Sequence, residues 1–265
     1  MTKIITSLLL ALALFACDSK STTSKTPQEE SKKTIANESI AQLQGLWISE
    51  PYLKDIETKK SIYSSRNYRS KVQGFTLDAK NLRTDSAFLE GFTPHEIGYS
   101  SPIKYDSVKG KFVNDLARLS EFPAFSDPFE LDYDGNKHLK MYFPKTKSFD
   151  EYQKIDTDLQ AELRKILIAG KYNTTTKPVE IQFDNDGKVH NFKDFKYYEL
   201  ITDFGEGIEY DAIIFFKTLD GGNWVDGEIY HFKVVPGGLQ LQLLKPNWET
   251  MEHIISKEVL VLQRK

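Results

Sequence analysis

The sequence predicts an all-β chain built as antiparallel up-and-down barrels, on three observations. Apolar and polar residues alternate over short runs, and Gly-containing turn signals recur between those runs. Seventeen Phe and thirteen Tyr stand against three Met, a bias toward residues that suit pleated sheets. Many short strands at such spacing argue a sandwich or an up-and-down barrel, and the chain divides into two such series joined by one short helix.

In chain order, residues 1–16 carry Lys3 and then an apolar run from Leu8 to Leu14, ending Leu14-Phe15-Ala16-Cys17. A basic start, a short apolar stretch and a small residue before the cut are the layout of a secretory signal, too short to span a bilayer. Asp18 to Glu38 holds Ser, Thr, Lys, Glu and Gln with almost nothing to bury, so residues 17–40 are expected to be a tether. A linker of ~20 residues spans roughly 25 Å root-mean-square.

The first half, 41–155, should contain strands at Phe75 and Leu77, Ala87 to Phe92, Phe129 to Tyr133 and Leu139 to Phe143, with Asp134-Gly135 as a turn. Asp158 is placed to cap a helix through Leu159, Leu163, Ile166 and Leu167 that stops near Gly170, as a connector or a plug over a barrel end. The second half, 156–265, begins with that helix. Val179 to Phe183 alternates, and Asp184-Asn185-Asp186-Gly187 turns it back toward Val189. Tyr210 to Phe216 is apolar on both faces and reads as central. Glu228 to Val235 should pair with Leu239 to Leu243 across a three-residue Pro236-Gly237-Gly238 loop, and Glu258 to Leu262 makes the last strand.

The halves begin and end alike. Gly45-Leu46-Trp47 opens the first and Gly170-Lys171-Tyr172 the second; Gln153-Lys154 closes one and Gln263-Arg264 the other. Each has room for about eight short strands, the number that closes a small barrel. This Gly-x-Trp start with a basic residue on the final strand resembles the lipocalin (calycin) pattern over most of residues 41–265. The resemblance implies that Trp47 packs across a barrel end beneath Lys154, and Tyr172, standing where the family has Trp, beneath Arg264 or Lys265. The signal resembles a bacterial lipoprotein lipobox, which implies an acylated Cys17, cleavage before it and attachment to membrane lipid. Phe15 is bulkier than the small residues usual there. Together the chain looks like a lipocalin-like lipoprotein of a Bacteroidetes-type bacterium, lipid-anchored in the cell envelope, on the outer membrane facing the periplasm or the surface.

Cys17 is the only cysteine, so the exported body carries no disulfide. Removing Lys3 with the leader takes the formal charge from −3 to −4, and the charges are interspersed, which argues against a nucleic-acid partner. His95, His138, His190, His231 and His253 form no spaced ligand set, so no metal is expected. No Gly-x-Ser-x-Gly elbow or phosphate-cradling loop occurs, so neither cofactor nor catalysis is expected. A calcium loop starting at Asp184 would need a glutamate where Phe195 stands. The expected function is non-catalytic binding of a small hydrophobic or amphiphilic ligand in a barrel mouth. A cell-envelope protein-binding module, inhibitor or adhesion component, is the rival, with Phe122-Pro123-Ala124-Phe125 and Pro128 as its candidate surface. A hydrolase of envelope sugars would need two acids facing across a cleft.

Expression in a lipoprotein-processing host tests the anchor. The protein should take up labelled fatty acid and partition into detergent, and Cys17→Ala should abolish both; labelling that survives the substitution would refute it.

Overall fold

β1 (Gly45–Ser49) has two buried faces, and the rest of the molecule is arranged around them. The computed structural model describes residues 41–68, 72–78, 86–92, 97–114, 127–175, 179–204, 208–218, 227–247 and 252–265. The leader, Cys17 and the tether lie outside the described residues, as do His95, the Phe122 to Phe125 segment and the Asp220 to Asn223 turn.

β1 is followed by β2 (Gly74–Asp78), β3 (Ser86–Phe92), β4 (Ile97–Asp106), β5 (Lys111–Asn114), β6 (Glu130–Tyr133), β7 (His138–Phe143) and β8 (Ser148–Ile155). Each strand pairs antiparallel with the next and β8 returns to β1, which closes an eight-stranded barrel. Alternation sends Trp47, Phe75, Leu89, Met141 and Tyr152 inward to its core.

The second half is also an antiparallel barrel-like meander. β9 (Gly170–Thr174), β10 (Glu180–Phe183), β11 (Val189–His190), β12 (Tyr197–Leu200), β13 (Ala212–Phe216), β14 (Glu228–Val235) and β15 (Gly238–Asn247) follow in turn. β16 (Glu252–Ile255) and β17 (Leu260–Arg264) both pair with β15, and residues 256–259 bulge out between them. β17 returns to β9. The remaining gap is bridged by Val189 N–H to the Lys196 carbonyl (2.9 Å) and Tyr198 N–H to the Gly187 carbonyl (2.7 Å), so this sheet is nearly closed. Eight aromatic rings fill it, from Tyr172 and Phe183 through Phe192, Phe195, Tyr198 and Phe215 to Tyr230 and Phe232.

The expected helix is present as α2, once α1 (Glu50–Lys59) is counted before it; α2 spans Leu159–Leu167, with Asp158 accepting from the Ala161 amide at 2.6 Å. It lies over the end of the second barrel. Leu163 and Leu167 join that core, Arg164 donates to the Asn185 carbonyl at 2.9 Å, and the Gln160 amide pairs with both backbone groups of Leu200. Two expectations need correction. The joining helix is not alone: α1 forms because Pro51 sits in its first turn, where a missing N–H costs nothing, and Tyr52, Leu53 and Ile56 give it one apolar face. The β14–β15 connection is two residues, not three, since Val235 pairs with Gly238 and Gly237, at φ 73°, completes the turn.

The outer face of β1 explains how the halves join. Leu46 and Ile48 point away from the first barrel and share a core with α1, Ile62, α2 and the second barrel. One polar latch crosses this apolar seam. Asp211, just before β13, accepts from Ser61 Oγ (2.5 Å), the Ile62 amide (2.6 Å) and the Tyr63 amide (2.9 Å), so the second half caps a 3₁₀ turn at Tyr63–Ser65 of the first. Burial pushes the Asp211 carboxyl up from the ordinary aspartate range, against the pull of those three donors.

Asp211→Ala leaves two amides without an acceptor and should cost about 2–4 kcal/mol, whereas Asp211→Asn keeps an acceptor and should cost under about 1 kcal/mol. A carboxyl whose folded pKa is raised contributes most below its unfolded pKa and loses that contribution as pH climbs through the folded one. The urea midpoint of Asp211→Asn should therefore gain on the parent as pH climbs above about 4, the ordinary aspartate pKa; a gap that does not change with pH would refute the latch as described.

Candidate functional site

Both barrels are clasped at the end where their first strand begins. Trp47 is fully buried and its indole N–H donates to the Leu43 carbonyl, four residues earlier, at 2.8 Å. Lys154, its partner across β8, lies 5.8 Å above the ring and donates to the Gln42 carbonyl at 2.9 Å. In the second barrel the Tyr172 hydroxyl donates to the carbonyl of Ile168, also four residues earlier, at 2.6 Å. Arg264 lies 5.8 Å above that ring and donates to the Ala169 carbonyl at 2.5 Å. Of the two basic residues considered for Tyr172, Arg264 covers it; Lys265 pairs with Glu180 instead.

Gly45 and Gly170 are required by both conformation and space. Their φ angles are 129° and 147°, and a Cβ would lie 3.0 Å from Lys154 Cε in one and 3.1 Å from Arg264 Nε in the other. The six barrel-end residues named from the sequence thus meet as two equivalent trios.

Beside the first clasp lies a half-open crevice of about 320 Å³. Its floor is Leu43, Phe112 and Leu131, all buried, and its walls are the half-buried rings of Tyr105 and Tyr133. Tyr133 stands edge-on to Trp47 at 5.7 Å and Tyr105 leans on Phe112 at 5.1 Å. Gly110 and Gly135 form part of the rim, both at positive φ in their turns. Sequence reasoning did not single out this set. The signal available was the repeated strand ending Tyr105-Asp106 and Tyr133-Asp134, an inward aromatic just before a turn acid.

The other polar clusters are internally matched. A seam of about 250 Å³ between β8 and α2 holds Lys137 paired with Asp156 (2.5 Å) and Lys165 with Glu162 (3.2 Å). At the Asp184 turn, Gln182 and His190 bond Asp184 and Lys188 bonds Asp186, while Phe195 is buried in the barrel. The Gln182 hydrogen bond, with His190 after it, holds the Asp184 carboxyl below its ordinary range. His138 faces Glu50, and His231 Nδ1 lies 3.0 Å from the Asp211 carbonyl. Among the described residues no three His, Cys, Asp or Glu gather as metal ligands, and no helix is long and apolar enough to cross a membrane.

No protein-family model, no curated protein and no solved structure matches this chain.

Trp47→Ala opens a cavity where the first and last strands meet and should cost about 3–5 kcal/mol by urea unfolding. Lys154→Ala, which removes a partly exposed cation–π contact, should cost ~0.5–1 kcal/mol, and Tyr172→Phe about 1 kcal/mol for a lost buried hydrogen bond. A Trp47→Ala protein as stable as the parent would show that the clasp does not close the barrel.

Proposed function

We propose that this chain is an exported, lipid-anchored, lipocalin-like binding protein without catalytic activity, which takes a small amphiphilic molecule at the Trp47 end of its first barrel. The crevice beside Trp47 carries the reading. It offers an apolar floor, two aromatic walls and a polar rim, at a size within the lower range of small-molecule sites. Among the described residues, the second barrel's interior is packed with rings and its corresponding end is covered by α2. The site is thus a barrel mouth rather than a barrel interior. Attachment rests on Leu14-Phe15-Ala16-Cys17, which supports an acylated Cys17 holding the body within a tether's reach of an envelope membrane.

The rival reading, a protein-binding module of the envelope, has one observation in its favour. Tyr142 and Phe149 face each other across β7 and β8, 36% and 54% exposed, an uncovered aromatic pair far from the crevice in the sheet register.

A titration separates the two. In a Trp224→Phe, Trp248→Phe background, N-phenyl-1-naphthylamine should bind one-to-one and quench Trp47, and Tyr105→Ala should weaken it at least about tenfold with the fold intact, the loss of roughly 1.4 kcal/mol of contact. Linear, non-saturating uptake by the parent would refute the small-ligand reading and favour the protein-binding one.

A further inference from the structure

The crevice also specifies the charge of what it takes, an inference that rests on the small-ligand reading above. Three charged residues sit at its edge and each is engaged elsewhere. Lys111 and Asp132 are direct partners across β5 and β6 with a 3.0 Å ion pair. Phe112 and Leu131, their neighbours, face the core, so strand alternation turns Lys111 and Asp132 to the outer surface. A parallel pair, Lys109 with Glu130 at 2.6 Å, continues the same outer ladder. Asp134 folds its carboxylate back on its own turn, accepting from the Asn136 amide at 2.7 Å and the His138 amide at 3.3 Å. Among the described residues that line the crevice, no charge is left unmatched.

Two polar groups are left over. The hydroxyls of Tyr105 and Tyr133 make no hydrogen bond among the described residues, although both rings are half-buried and fixed by aromatic neighbours. Tyr105 Oη lies near Gly110, 3.9 Å from where a Cβ would stand, which places it at the rim. A charged guest on this apolar floor would lose hydration with no counter-ion to replace it, whereas a neutral guest with a hydroxyl or carbonyl edge would satisfy the free tyrosine groups.

We propose that the crevice takes an uncharged, ring-sized molecule bearing a hydroxyl or carbonyl edge, held flat between the two tyrosine rings and hydrogen-bonded by their hydroxyls. Tyr105 and Tyr133 set the specificity, and the absence of a facing charge rejects carboxylates and amines of the same shape.

Isosteric probes test this on the full mature chain, residues 17–265. At neutral pH, 2-naphthol should bind one-to-one, and 2-naphthoate and 2-naphthylmethylammonium at least about tenfold more weakly, because each buries an unpaired charge. Tyr105→Phe and Tyr133→Phe, which keep the rings and the melting temperature, should each weaken 2-naphthol about fivefold, one ordinary hydrogen bond, and leave binding of naphthalene unchanged. Equal or tighter binding of either charged probe overturns the proposal while the crevice remains a binding site. Phe variants that bind 2-naphthol like the parent overturn the role of the hydroxyls. Failure of all probes to saturate overturns the small-ligand reading itself, and the proposal with it.

Discussion

The closure of each barrel depends on one repeated interaction, a buried aromatic ring pinned from two sides. Its polar hydrogen is donated four residues back along the chain, and a cation from the last strand lies over its face. An antiparallel meander has no intrinsic reason to bring its last strand to its first in one register, and a slip of one residue would turn every inward side chain outward. The clasp removes that freedom, because the cation must stand opposite the ring: Lys154 against Trp47 and Arg264 against Tyr172. The positive φ at Gly45 and Gly170 follows from the same geometry, since the strand must bend in without a Cβ under the basic side chain.

Closure alone would leave two beads on a string. What joins them is that β1 spends its inner face on its own barrel and its outer face on its neighbour, with α1 and α2 filling the angle between. Asp211 is set in this apolar contact and costs desolvation there. Its return is directional: an apolar seam alone tolerates sliding, while three donors converging on one carboxylate define a single docking geometry. The halves are therefore similar in pattern but unequal in circumstance, one lending its outer wall and the other receiving it.

What was legible in the sequence was whatever the chain encodes locally. The Asp184 to Gly187 hairpin, the Asp158 cap and the alternation of β7 and β10 are written in neighbouring residues, and the Gly-x-aromatic starts with their terminal bases carried the repeat. α1 was not legible because its apolar face has only Tyr52, Leu53 and Ile56, and Pro51 reads as a breaker until its place in the first turn is known. Asp211 reads as an ordinary loop acid, since its partners lie about 150 residues away in the chain. The crevice was hidden for a related reason. Its floor and walls come one or two residues at a time from β4, β5, β6 and the approach to β1, and no single segment announces it.

The inequality of the two ends is where structure bears on function. Both barrels carry the same clasp, and they differ in what the chain places over it. At the second, α2 supplies Leu163 and Leu167 to the core and ties its Arg164 to the Asn185 and Tyr198 carbonyls. At the first, Gln42, Leu43 and Lys154 stand over the ring, and two tyrosines whose hydroxyls make no hydrogen bond among the described residues line the recess beside it. The two barrels thus differ in what stands at the same end, a half-open recess in the first and a helix in the second.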